Sequence, residues 1–215
     1  MDNQRMITDD TIEIVLNENI EAKTLIFVLH GYGANKEDIL PIGEYFSSGF
    51  DDAMVCVPNA IDKCDDGHGY QWFSYKDNDI KNLEHAFDDS YLKTKEYITK
   101  VIASKKMPLD RVVLSGFSQG GMVSLAVGLE IGVGAIVSFS GMLMRNRHIP
   151  ENSKTKVFMA HGGLDFVISI EEAYNTKERL EKAGVEVKLL AESIVQHRIS
   201  AEAAQASMRF LKRFF

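Results

Sequence analysis

Cysteine is scarce in this sequence. Only Cys56 and Cys64 occur in 215 residues, too few for a disulfide framework, so a reduced intracellular setting is expected. A basic surplus is missing too: 24 Lys and Arg stand against 31 Asp and Glu, a formal net charge of −7. Phosphate binding needs the opposite balance. Nucleic acid is therefore excluded as the main partner, and the average charge gives no pull toward anionic membranes. Apolar runs are short. The stretch at residues 24–29 is strand-sized, far below the roughly 18 residues of a membrane span. Residues 1–10 are polar and acidic, without the basic-then-apolar layout of a secretion signal. The expectation is a cytoplasmic protein with no integral membrane segment. Repeats, low-complexity tracts and Pro/Gly/Ser-rich linkers are also lacking, so no domain boundary suggests itself and residues 1–215 are expected to form a single domain.

What is present suits a folded domain. Apolar residues make up 45% and charged residues 26%, enough for a sizeable core and inconsistent with disorder. Short β-branched runs alternate with longer helical patterns, which implies an α/β architecture: a mainly parallel central sheet with helices on both faces. Candidate strands are 12–16, 24–29, 54–57, 112–115, 135–139, 157–160 and 185–190. Leu83, Phe87, Tyr91, Ile98 and Ile102 keep to one side of a helix over about 82–104. Ser169 and Glu172 have capping-box spacing, opening a helix that runs to about Ala183. Ser200 can cap a last helix with Ala204, Met208, Leu211 and Phe215 on its apolar side. Two long loops remain, 59–79 and 141–154, and loops of that length tend to be functional or disordered. The first holds Gln71-Trp72-Phe73-Ser74-Tyr75 with the only tryptophan; such an aromatic cluster needs a core or a pocket to dock on.

Gly116-Phe117-Ser118-Gln119-Gly120 lies between the strand at 112–115 and the helical run at 122–129. The pattern is G-x-S-x-G in a strand–turn–helix setting, the nucleophile elbow. By composition alone a chain this long would match it by chance roughly once in ten to twenty, so the setting carries the weight. A serine hydroxyl is a poor nucleophile until a base takes its proton. On such a fold the partners follow in the order serine, acid, histidine, each at a later strand end. Of six histidines, His30, His68, His85 and His148 come too early, and His161 precedes any acid at a strand end. His197, after the strand at 185–190 and before the last helix, remains. Asp165, just beyond the strand at 157–160, is the acid expected to orient its imidazole. Glu171 and Glu172 better suit a helix N-terminus, and Glu192 lies on the wrong loop. His161 and Asp165 are four apart, but a Gly-Gly pair intervenes and no second cluster completes a metal site.

The tetrahedral intermediate also needs hydrogen-bond donors. One is the backbone N–H of Gln119, the residue after the nucleophile; the other is expected from Tyr32 in Leu29-His30-Gly31-Tyr32-Gly33-Ala34-Asn35. Asn35 is read as the cap of a helix starting near Lys36, and His30 as fixing its loop. Leu29, Trp72, Phe73, Phe117, Val167 and Ile194 lie in or beside the motif loops and are the candidate apolar wall for an acyl group.

Four segments in this order resemble the phospholipase/carboxylesterase family of α/β-hydrolases, which includes bacterial carboxylesterases and acyl-protein thioesterases. They are Phe27-Val28-Leu29-His30-Gly31-Tyr32-Gly33, Gln71-Trp72-Phe73, Gly116-Phe117-Ser118-Gln119-Gly120-Gly121 and His161-Gly162-Gly163-Leu164-Asp165-Phe166-Val167, with the His197 loop as a fifth. The resemblance implies an α/β-hydrolase domain without a large lid, a triad of Ser118, Asp165 and His197, oxyanion donors at Tyr32 and Gln119, and no cofactor. The implied activity is a serine hydrolase cleaving small-molecule esters, lysophospholipids or acylated proteins. Two positions depart from the family pattern. The glycine common before the histidine is absent from Ser193-Ile194-Val195-Gln196-His197, and Ser169 stands where the family has a proline. The competing class is a non-catalytic ligand-binding protein on the same fold; no feature selects a peptidase or specifies an oligomeric state.

Overall fold

Residues Thr24–Leu29 and Ala53–Pro58 are buried along their whole length, as strands covered on both faces must be. The computed structural model describes residues 13–18, 20–74 and 80–215, with the backbone alone at 80–83 and 89. In chain order its strands are β1 (Glu13–Leu16), β2 (Thr24–Leu29), β3 (Ala53–Pro58), β4 (Asp62–Lys63), β5 (Tyr70–Gln71), β6 (Val112–Phe117), β7 (Ala135–Phe139), β8 (Lys156–Gly162) and β9 (Val187–Glu192). The α-helices are α1 (Lys36–Gly49), α2 (Ile80–Ser104), α3 (Gln119–Ile131), α4 (Ile170–Lys182) and α5 (Ala201–Leu211). Seven strands form one sheet in the order β1-β3-β2-β6-β7-β8-β9. β1 runs antiparallel to β3 and every other pair is parallel, with Phe27 opposite Leu114 and Val137 opposite Phe158.

Alternation along the strands divides the core in two. Leu25, Phe27 and Leu29 point to one side, where Phe87 and Tyr91 of α2, Met122 of α3 and Leu180 of α4 cover them. Ile26 and Val28 point to the other, beneath Ile39 and Phe46 of α1 and Ala203 and Met208 of α5. This mostly parallel sheet between helical layers is the α/β-hydrolase architecture, and the described residues contain no large lid insertion. No helix among them is long and apolar enough to cross a membrane.

Most expected elements are present, and the differences have local causes. The first strand starts at Glu13, with Ile12 outside the described residues. Phe87, Tyr91, Ile98 and Ile102 are buried as the helical period requires; the side chain of Leu83 and residues 75–79 of the first loop lie outside the described set. Asn35 caps α1 with a reciprocal box to Asp38, both hydrogen bonds measuring 3.0 Å. The last strand begins at Val187 rather than Val185. Gly184 takes a left-handed φ of 76°, and the N–H of Val185 bonds the Leu180 carbonyl at 3.0 Å. Val185 therefore belongs to the closing turn of α4. Ser169 caps that helix through the Glu171 N–H at 3.4 Å, but the expected box does not close because the Glu172 carboxylate turns to Arg145 at 2.9 Å. The β4–β5 hairpin was not expected, since two-residue strands carry no periodicity.

Candidate active site

Ser118 sits between β6 and α3 at φ 53° and ψ −119°, a conformation that a non-glycine residue holds only at a cost in strain. The chain bends so tightly that a Cβ on Gly116 would lie 2.3 Å from the Gly120 carbonyl carbon, and one on Gly120 2.3 Å from the Leu29 oxygen. Both glycines are thus fixed by close backbone approach, as the elbow demands. Ser118 N–H donates to the Phe139 carbonyl at 2.9 Å, tying the turn to β7. Gln119 opens α3, so its N–H is one of the four that have no carbonyl partner within the helix. The loop after β2 runs alongside: a Cβ on Gly31 would stand 3.4 Å from the Ser118 Cβ.

Three of the expected side chains meet here. His197 Nε2 lies 2.9 Å from Ser118 Oγ, and its Nδ1 lies 2.7 Å from Asp165 Oδ2. The Asp165 side chain is wholly buried. Its other oxygen accepts from the N–H groups of Val167 and Ile168, each at 2.9 Å. Burial pushes this carboxyl upward, but the hydrogen bonds from His197, Ile168 and Val167 outweigh it and hold the group below the usual carboxylate range. An ionised carboxylate only accepts, so Nδ1 carries the imidazole proton and Nε2 is left to accept from the serine hydroxyl. The missing glycine does not displace His197. Gln196 is not among the non-glycine residues with positive φ, so that backbone position does not require one.

His161 enters the site in a way the sequence reading did not foresee. Its Nε2 donates to the Ile168 carbonyl at 2.8 Å and stands 3.4 Å from Asp165 Oδ2. Its Nδ1 is buried with no hydrogen-bond partner among the described residues. Burial holds its pKa down against the opposing pull of Ile168 and Asp165, so the ring stays neutral behind the carboxylate. No group of three or more His, Cys, Asp or Glu side chains suited to a metal ion occurs among the described residues. The rival acids are engaged elsewhere: Glu171 with Ser169, and Glu192 with Ser200 Oγ at 2.7 and 2.8 Å.

His30 fixes its loop. The Ala60 N–H donates to Nε2 at 3.0 Å, which leaves the proton on Nδ1 for the Gly31 carbonyl at 2.6 Å. The Gln119 side chain clamps the aromatic loop, a contact its place in the elbow does not announce. It accepts from the Trp72 N–H at 3.0 Å and donates to the Phe73 carbonyl at 2.9 Å. No sequence signal marks this contact, because its partners are 46 and 47 residues away.

Beside the serine lies a cavity of about 230 Å³ lined by Tyr32, Phe73, Ser118, Gln119, Met122, Met142, Val167, Ile168, Ser169 and Glu172. Two of the six expected wall residues, Phe73 and Val167, are in it. The other four are elsewhere, each for a packing reason. Leu29 is fully buried in the core because it points under α3. Trp72 is drawn into that core by its Nε1 bond to the His30 carbonyl at 2.8 Å. Phe117 packs its ring on His197, centroids 4.8 Å apart, and Ile194 is 83% exposed on the outer surface of its loop. Met122 and Met142, which the sequence reading did not single out, form much of the wall.

A strained serine at the C-terminal end of the middle strand, β6, with an imidazole and a buried carboxylate brought to it by later strand ends, is the arrangement of the α/β-hydrolase class. Comparison with known proteins narrows this. The chain belongs to the phospholipase/carboxylesterase family, whose model matches residues 10–215. It is 27% identical over 206 residues to esterase YpfH of Escherichia coli (strain K12), covering 93% of this chain and 86% of that one. To acyl-protein thioesterase 1 of Debaryomyces hansenii it is 29% identical over 151 residues, 65% of each chain. The crystal structure of esterase PE8 shares the fold with a TM-score of 0.83 at 24% identity, covering 90% of this chain and 94% of that one.

Proposed function

We propose that this protein is a serine hydrolase cleaving carboxylic esters or thioesters of apolar acyl groups through an acyl-enzyme. The observation that carries the reading is the unbroken hydrogen-bonded line Ser118 Oγ–His197 Nε2, His197 Nδ1–Asp165 Oδ2 at 2.9 and 2.7 Å. His197 takes the hydroxyl proton as Ser118 attacks the acyl carbonyl. Asp165 holds the ring in the required tautomer and stabilises the imidazolium. The oxyanion is assigned to the N–H groups of Tyr32 and Gln119, whose residues line the cavity with Ser118. The imidazolium then protonates the departing alcohol or thiol, and water, activated by the same base, releases the acid and restores the serine. The apolar cavity suits the acyl part, and relatives named as an esterase and as an acyl-protein thioesterase support both leaving-group classes. Small-molecule esters, lysophospholipids and acylated proteins are the proposed substrates.

The test is direct. A fluorophosphonate probe should label the native protein stoichiometrically at Ser118. Ser118→Ala should lose labelling and lower kcat on p-nitrophenyl butyrate by on the order of 10⁴ or more, with its melting temperature nearly unchanged. Failure of the native protein to label or turn over would leave a binding protein on this fold.

A further inference from the structure

A backbone donor serves an oxyanion best when it stands in place before the substrate arrives, because nothing then reorganises at the moment of reaction. Gln119 is held by α3, but residues 31–34 around Tyr32 belong to no helix and no strand of the main sheet. The β4–β5 hairpin fixes them instead. Tyr70 of β5 exchanges two backbone hydrogen bonds with this loop. The Gly33 N–H donates to the Tyr70 carbonyl at 3.0 Å, and the Tyr70 N–H donates to the Ala34 carbonyl at 2.9 Å. Trp72 reaches further: its indole N–H donates to the His30 carbonyl at 2.8 Å and its backbone N–H to the Gln119 side chain at 3.0 Å. Tyr32 is thus flanked by two held groups, the His30 carbonyl before it and the Gly33 N–H after it. The backbones come closest at Gly69, whose φ is 69°. A Cβ there would lie 2.1 Å from the Gly33 carbonyl oxygen and 2.4 Å from its carbon. Gly67, two residues earlier, has a φ of 80°, yet a Cβ on it would meet nothing within 4 Å.

Resting on the proposed hydrolase reading, we infer that Gly69 is a positioning residue for the reaction: by letting β5 close onto residues 33–34, it fixes the Tyr32 N–H as an oxyanion donor. A side chain at position 69 meets backbone rather than a movable side-chain end, so the loop or the hairpin must shift. The Tyr32 segment lies beside the nucleophile, since a Cβ on Gly31 would stand 3.4 Å from the Ser118 Cβ. A shift there changes the donor geometry while Ser118, His197 and Asp165 keep their own hydrogen bonds. A misplacement of about 1 Å can cost on the order of 10² in rate. The effect falls on the transition state, where charge develops on the oxygen, and not on the binding of the neutral ester.

The experiment compares Gly69→Ala with Gly67→Ala. Both variants place a side chain where φ is left-handed and carry that strain alike; only Gly69→Ala drives a Cβ into the loop. On p-nitrophenyl butyrate, Gly69→Ala should lower kcat/KM by about 10²-fold, and Gly67→Ala should stay within about threefold of the native value. An alkyl trifluoromethyl ketone, whose adduct with Ser118 carries an oxyanion, should bind Gly69→Ala more weakly by the same factor. A variant that had merely lost folded protein would keep its Ki, and fluorophosphonate labelling carried to completion counts the intact sites. A second measurement needs no variant: hydrogen exchange in the native protein should show the Gly33 and Tyr70 amides protected together. Equal losses in the two variants, an inhibitor Ki unmoved by Gly69→Ala, or Gly33 and Tyr70 amides exchanging as an open loop does would each overturn the inference. A native protein that neither labels nor turns over, with both amides protected, would count against the hydrolase reading alone.

Discussion

In the proposed mechanism Asp165 carries much of the site's electrostatics in one buried carboxylate. Three hydrogen bonds converge on it, two from backbone N–H groups and one from His197. Its proposed role is to keep a proton on His197 Nδ1, 2.7 Å away, which only an acceptor at that point can do. Asp165→Asn would place an amide able to donate there and favour the other tautomer, with Nε2 protonated and useless as a base. The expected cost is about four orders of magnitude in kcat with little change in KM, read by steady-state kinetics on p-nitrophenyl butyrate. His161 cannot replace His197. It lies behind the carboxylate, its Nε2 proton is engaged with Ile168, and burial keeps the ring uncharged.

Among the elements, the aromatic loop depends most on a distant helix. Phe73 lines the cavity, yet its segment has little regular structure beyond the β4–β5 hairpin. The Gln119 side chain gives the loop an acceptor for one backbone N–H and a donor for one carbonyl, both in a buried setting. Gln119→Ala would leave both unpaired while keeping the Gln119 N–H. The expected loss is about 2–4 kcal/mol, measured by urea unfolding, with a raised KM and faster proteolysis within residues 59–74 because the loop is released. Unchanged stability and proteolysis would show that Trp72 holds the loop alone, through its Nε1 bond to His30.

For the molecule as a whole, the buried imidazoles govern acid stability. His30 and His161 both have pKa values lowered chiefly by burial. In the unfolded chain each would take up a proton near pH 6.5; in the native protein each stays neutral to lower pH. Below about pH 6.5 the unfolded state therefore binds more protons, and stability falls with pH by up to about 1.4 kcal/mol per unit for each histidine. Asp165 acts in a lower window. Its depressed pKa adds stability that is present above about pH 4 and is lost only as pH drops through the folded value. The melting temperature should thus begin to fall near pH 6.5, before the carboxylates titrate. A curve flat from pH 7.5 to 5 would contradict this, and a native-like slope in His161→Phe would remove that residue from the account.

The sequence by itself determined most of the strands, the parallel character of their sheet and the chain order of the candidate site residues. Strand runs such as 24–29 and 112–115 are largely apolar and β-branched, so local composition names them; Gly116 and Gly120 mark the elbow because only glycine tolerates that backbone approach. Ser118, Asp165 and His197 were proposed from their places after strands β6, β8 and β9, and the fold brings the three side chains together. Tertiary structure decided what lies between those ends. Whether Trp72 faces a substrate or the core, where Phe117 and Ile194 point, and that Gln119 clamps a loop all depend on contacts between residues far apart in the chain. Glu172 is the clearest case. Its spacing from Ser169 fits a helix cap, but Arg145, 27 residues earlier, draws the carboxylate away. Local pattern tells a side chain which face of its element to occupy, whereas its partner there is set by how the elements pack.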